Sequence, residues 1–125
     1  MKQIISTSNA PQAIGPYSQA VEANGFVFVS GQIPIVPATG QMPDGIEAQT
    51  EQVMRNIGAI LEAAGLTYSN VVKTTVLLKS IADFATMNGI YAKYFTADCP
   101  ARAAFEVAAL PKGALIEVEV IACKN

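Results

Sequence analysis

The chain has 125 residues, 51% hydrophobic and 14% charged, with a net charge of -2 and no histidine. The length suits a single domain over residues 1–125. About a quarter of residues are charged in average soluble proteins, so the shortage here points to a surface covered by other copies, with an apolar monomer as the alternative. The missing histidine excludes Ser-His-Asp and Cys-His catalysis, His-ligated metal and a histidine base. The eight Lys and Arg residues are scattered singly and form no basic patch for nucleic acid.

No apolar run reaches the roughly 18 residues of a membrane span. The start, Met1-Lys2-Gln3-Ile4-Ile5-Ser6, lacks the apolar core and cleavage site of a secretory signal, which predicts a cytoplasmic protein. Tyr17 to Ala23 and Phe26 to Ser30 flank Asn24-Gly25, the dipeptide of a type I′ hairpin turn. The second arm is apolar on both faces and is predicted to lie inside a sheet, ending at Gly31, where another backbone or a ligand can approach closely. A Pro- and Gly-rich loop follows from Pro34 to Gly45. Asp44 and Glu47 stand at capping-box spacing. Ile46, Val53, Ile57, Ile60 and Ala64 form one helical stripe closed by Gly65, and Arg55 points away from it into solvent.

Val71 to Lys79 reads as a strand rich in β-branched residues. Ser80 and Asp83 resemble a second capping box, and Phe84, Met87, Tyr91, Tyr94 and Phe95 give the stripe of a second helix. Pro100 introduces a strand from Ala101 to Ala108, and the last strand runs from Leu115 to Ala122. The order predicts an α+β fold: one mixed sheet of five or six strands, with two helices on one face and solvent or another subunit on the other. Cys99 and Cys123 have neither Cys-x-x-Cys nor zinc-ligand spacing, no metal site is expected, and two free thiols suit a reducing compartment.

Alternation groups Arg102, Ala104 and Glu106 on one strand face, and Glu117 with Glu119 on another. If the bulkier sets Ala103, Phe105, Val107 and Ile116, Val118, Val120 face the helices, Arg102 and Glu117 lie together on the opposite face, and their strands are candidates to pair. Arg102 is the one guanidinium placed to enter a site, where its planar fork suits a carboxylate. The pattern alone favours an ordinary cross-strand ion pair with Glu106 or Glu117. Asn88 lies beside the second helix's apolar stripe, where its amide needs partners; capping a neighbouring strand end is the simplest use. Tyr17 and Ser30 are weak signals by themselves.

Several stretches together resemble the reactive intermediate deaminase family, RidA/YjgF type. They are Asn9-Ala10-Pro11, Ala13-Ile14-Gly15-Pro16-Tyr17-Ser18-Gln19, Ser30-Gly31-Gln32-Ile33-Pro34, Val72-Lys73-Thr74-Thr75-Val76, Pro100-Ala101-Arg102, Glu106-Val107-Ala108 and Leu110-Pro111-Lys112. They run nearly end to end. The resemblance implies a chorismate-mutase-like fold, a homotrimeric barrel with clefts between subunits, no cofactor, and hydrolysis of 2-imino and enamine acids such as 2-aminoacrylate to 2-keto acids. It implies that Arg102 binds the substrate carboxylate, that Glu117 positions the attacking water, and that Tyr17, Ser30, Gly31 and Asn88 line the cleft. Many members follow the arginine with Ser-Cys-Val; here Ala103-Ala104-Phe105 stands instead. Ala104, on the strand face of Arg102, is expected to face the cleft and border the substrate; no thiol role transfers to it, although its backbone could contribute.

This chemistry suits a chain without histidine. A protonated imine is already electrophilic, so holding the carboxylate and orienting a water suffice. An enamine must first gain a proton at carbon, and no residue is assigned to that step. The alternatives are a non-catalytic trimer that binds 2-keto acids, which hardly needs Glu117, and translation inhibition through RNA cleavage, which the acidic balance opposes.

Overall fold

The computed structural model describes residues 1–125. Its strands are β1 (Gln3–Ile5), β2 (Ala20–Ala23), β3 (Phe26–Gln32), β4 (Val71–Leu78), β5 (Ala101–Glu106) and β6 (Ile116–Cys123), and its helices are α1 (Ile46–Ala63) and α2 (Phe84–Tyr91). They make one six-stranded sheet in the order β1-β2-β3-β6-β4-β5. All pairs are antiparallel except β4 with β5. A parallel pair cannot be joined by a tight turn, and α2 lies within the connection between these two strands. The expected α+β class and the sheet of five or six strands with two helices therefore describe the molecule.

Asn24 (φ 53°) and Gly25 (φ 80°) make the predicted β2–β3 turn. Twenty buried apolar residues form one core: Val27 and Val29 of β3, Val76 and Leu78 of β4, and Ile116, Val118 and Val120 of β6 meet Val53, Ile57, Ile60 and Leu61 of α1 and Met87 of α2. Removing such a large side chain from a close-packed interior costs about 2–5 kcal/mol. Arg55 is exposed on the far side of α1, as expected. No helix is long and apolar enough to cross a membrane.

Several local expectations need correction. The short strand β1 was not expected; it adds to β2 at the sheet's edge. The first hairpin arm begins at Ala20 rather than Tyr17. Asp44 and Glu47 form no capping box: Gly45 is the N-cap at φ 88° and α1 has no side-chain cap. Ser80 caps a separate 3-10 turn, Ile81–Asp83, and α2 follows it and stops at Tyr91, so Tyr94 and Phe95 pack from the turn beyond. The strands bearing Arg102 and Glu117 are not neighbours, because β4 lies between them.

The polar residues of α1 hold its flanking loops. Asn56 Nδ2 donates to the carbonyls of Ile33 (3.2 Å) and Ile35 (3.0 Å), and its Oδ1 accepts from Gln52 Nε2. Gln49 accepts from the Leu115 N–H at 2.8 Å and donates to the Pro43 carbonyl. These side chains are buried, and their bonds satisfy backbone groups that the loops cannot pair internally. They also fix Ile33 and Ile35 in the wall of the cavity described next.

Candidate active site

Glu117 stands on β6, on the sheet face away from the helices, in register with Leu77 of β4 and then Phe105 of β5. It lines a cavity of about 420 Å³ together with Tyr17, Gly31, Ile33, Lys112 and the 11–14 segment. Burial, and then the neighbouring charge of Glu119, raise its carboxyl above the ordinary carboxylate range. A carboxyl raised in this way can both take and release a proton nearer neutral pH.

The wall opposite β6 is tied down by Gln19. Its Nε2 donates to the carbonyls of Thr7 (3.0 Å), Ala10 (3.3 Å) and Pro11 (2.7 Å), and its Oε1 accepts from the Thr7 N–H. Gln19 is buried and itself lines the cavity. Nothing in sequence distinguishes a glutamine that tethers a loop from one on the surface. Lys112 was also not foreseen; its backbone is left-handed at φ 55°, within the Pro111–Gly113 turn that brings it to the cavity. Tyr17 is 53% exposed at the rim. The Ser30 hydroxyl donates to the Ser18 carbonyl at 2.6 Å, so its proton is committed within the chain.

Arg102 belongs to a second cavity, also about 420 Å³, shared with Asn88, Tyr91, Phe95, Cys99 and Pro100. Its register partners Thr74 and Val120 put it on the helix-bearing face. The expectation that Arg102 and Glu117 share a face is therefore wrong for β5. Phe105 takes the open face and is 46% exposed. Arg102 instead reaches α2, where Phe84 and Tyr91 offer aromatic faces: its guanidinium carbon lies 5.4 Å and 4.8 Å from their ring centroids. Nη1 donates to Asn88 Oδ1 at 2.6 Å. That bond gives Asn88 its partner; it caps no strand. No carboxylate pairs with Arg102, so the cross-strand ion pair does not form, and most of its five N–H donors remain free.

Tyr91 supports this arrangement from beneath. Its hydroxyl shares a 2.8 Å hydrogen bond with Thr74 Oγ1, and burial raises its pKa, so the phenol stays neutral beside the guanidinium. Ala104 shares Arg102's face but packs against the core and lines neither cavity. Cys99 and Cys123 are free thiols, and only Cys99 reaches a cavity, where its Sγ contacts the Phe95 carbonyl. If no thiol takes part, the double variant Cys99→Ser, Cys123→Ser will keep kcat/KM for the imine hydrolysis that the resemblance implies within about twofold of the parent, since loss of a required group costs far more. A folded, assembled variant slowed a hundredfold would show that a thiol is needed. No cluster of three or more Cys, Asp or Glu side chains suited to a metal ion is present.

One chain thus holds a guanidinium cavity on one sheet face and a carboxylate cavity on the other. The family model described as Endoribonuclease L-PSP matches residues 7–124. Reactive Intermediate Deaminase A, chloroplastic, of Arabidopsis thaliana is 55% identical over 97% of this chain, which spans 65% of that relative's length. The 2-iminobutanoate/2-iminopropanoate deaminase of Rattus norvegicus is 54% identical over all of this chain and 92% of its own. Among solved structures, YyfA of Yersinia pestis, a member of the Rid protein family, superposes with a TM-score of 0.96 at 53% identity, covering 98% of this chain and 99% of that one. With a family model spanning nearly the whole chain and relatives this similar, the chain belongs to the RidA/YjgF family.

Proposed function

We propose that the protein hydrolyses 2-imino acids, including those formed from enamine acids such as 2-aminoacrylate, to 2-keto acids and ammonia, in clefts completed between adjacent copies of a homotrimer. Arg102 binds the substrate carboxylate through its free edge. Glu117 accepts a proton from water as the water oxygen bonds to the imine carbon. Glu117 returns that proton to the carbinolamine nitrogen and takes the hydroxyl proton as the C–N bond breaks, so the carbonyl forms and ammonia leaves, carrying the remaining proton away as ammonium. Holding the carboxylate and the water together makes the attack effectively unimolecular, the main source of rate for an electrophile that needs no further activation. The two unpaired thiols suit the reducing cytoplasm, to which we assign the chain.

The observation that carries this reading is the separation of the two half-sites. Arg102 and Glu117 cannot meet one substrate within a chain, because they lie on opposite faces of the sheet with β4 between their strands. This supports a site to which a second copy supplies one of them. The open sheet face also leaves Phe26, Phe28 and Phe105 exposed by 40%, 46% and 46%. These rings favour coverage by another subunit, as does the low charge count.

The test is complementation. Arg102→Lys and Glu117→Gln proteins, each nearly inactive alone, are mixed one to one, dissociated and reassembled. Random assembly places an intact Arg102 opposite an intact Glu117 in about a quarter of the clefts of a cyclic trimer. The mixture should therefore recover roughly a quarter of the parent's rate, read as keto-acid release behind an amino-acid oxidase that generates the imine. No recovery in assembled mixtures would rule out a site shared between subunits, and sedimentation equilibrium showing only monomer would rule out the trimer.

A further inference from the structure

We infer that Gly31 is a positioning residue for Glu117: its missing side chain leaves the space in which the Glu117 carboxylate lies. The inference rests on the role proposed for Glu117 above. The register shows how the space arises. Val29 pairs with Val120 and Gln32 with Val118, so β3 advances three residues while β6 advances two. Ser30 and Gly31 together oppose the single residue Glu119, a β-bulge that re-aims the backbone beside the cavity. A β-carbon built on Gly31 would lie 2.0 Å from Glu117 Oε2, 3.0 Å from Cδ and 3.3 Å from Cγ.

Two features separate this glycine from the six of the turns and loops; of the two helical glycines, Gly58 leaves room for Tyr68 and Gly89 faces no atom within 4 Å. Gly15, Gly25, Gly40, Gly45, Gly65 and Gly113 all have positive φ, where any side chain is strained. Gly31 does not, so alanine fits its backbone, and the three atoms that a methyl group would approach most closely all belong to Glu117. Those atoms end a flexible side chain. The methyl would therefore rotate the carboxylate away without disturbing the fold. A glycine kept for its backbone would lose stability on substitution; one kept for a neighbour's carboxylate loses the carboxylate's placement.

The experiment is a double-mutant cycle on the assembled protein with Gly31→Ala, Glu117→Gln and both together, combined with carbon-13 NMR titration of the Glu117 carboxyl. Gly31→Ala should retain its Tm and assembly and lose about tenfold in kcat/KM, less than the roughly hundredfold that a misplaced group can cost, because the displaced carboxylate still reaches water. In the Glu117→Gln background the same alanine should cost nothing further. The Glu117 carboxyl should titrate lower in Gly31→Ala than in the parent, having moved from its buried position toward solvent, and the acid limb of kcat/KM should follow it. Additive losses would overturn the inference, since the methyl would then be obstructing substrate directly. An unchanged titration would overturn it as well, and so would a Gly31→Ala protein that fails to fold or assemble, because the fold rather than one mobile carboxylate would be refusing the methyl. Full activity in Glu117→Gln is a separate result. It removes the proposed role of Glu117, while the titration still decides whether Gly31 places the carboxylate.

Discussion

Replacing Arg102 with lysine is expected to lower kcat/KM for imine hydrolysis by a few hundredfold while fold and assembly persist. Arg102 is held on three sides: by the ring of Phe84, by the ring of Tyr91 and by Asn88 Oδ1 at 2.6 Å. A planar guanidinium can stack on the rings, donate one N–H to Asn88 and still present a two-pronged edge to a carboxylate. Lysine keeps the charge but has one nitrogen for all three tasks. If the ammonium turns to Asn88, it meets the carboxylate with a single bond at best. Losing a charge-assisted bond and the fixed orientation of the reacting carbon removes about 3 kcal/mol or more of transition-state stabilisation, equivalent to at least a hundredfold in rate. Little stability should be lost, since Arg102 is exposed, has no ion-pair partner and lies on the edge strand. The measurement is kcat/KM from the coupled keto-acid assay, beside Tm and sedimentation of the same preparation. A value near the parent's would mean that the substrate carboxylate is bound elsewhere.

That prediction depends on a placement which strand alternation misassigned. Alternation correctly joins Arg102 to Ala104 and Glu106, but it cannot say which face meets the helices. Phe105 looked like the inward residue because it is the bulkiest of its strand. At the sheet's edge the helix layer ends in Phe84 and Tyr91, whose ring faces accept a guanidinium, and Glu106 on the same face takes the Ile81 N–H at the start of the turn before α2. For β6, with large residues at Ile116, Val118 and Val120, the same reasoning held. Sequence adjacency also misled. The short Leu110–Ala114 connection suggested that β5 and β6 pair, yet β6 inserts between β3 and β4, where it pairs on both edges. Strongly local signals were legible: the Asn24-Gly25 turn, the α1 stripe and its Gly65 stop. The ties made by Gln19, Gln49 and Asn56 were not, because a buried amide is defined by distant carbonyls that no local pattern records. The Gly31–Glu117 contact was likewise hidden, as it joins residues 86 positions apart through a bulge visible only in the register.

Glu117→Gln separates catalysis from mere capture of a keto acid. Glutamine preserves size and can still hydrogen-bond a water, but it cannot take the proton that water must lose. Removal of a general base typically costs 10²–10⁴ in rate. The low end, on the order of a hundredfold in kcat, applies to an electrophile as reactive as a protonated imine. Binding of a keto-acid product should change by less than about threefold, since in the proposed site Arg102 supplies the charge that a carboxylate needs. Equal losses in turnover and product binding would make Glu117 structural, and loss of neither would favour a protein that only binds.

The pH dependence adds a check that does not rely on turnover. Burial, then Glu119, raises the Glu117 carboxyl above its unfolded value, so the folded state binds the proton more tightly than the unfolded state does. Stability associated with this group is then fully present below the unfolded carboxyl range and is lost as pH rises through the raised folded value. Glutamine carries no such dependence. The Tm of Glu117→Gln minus that of the parent should therefore become more positive from acid toward neutral pH, across the same interval in which the parent's kcat/KM rises as its base ionises. A Tm difference that stays flat with pH would show that this carboxylate is not desolvated in the assembled protein. A difference that rises while the activity limb lies elsewhere would show that another group is the base.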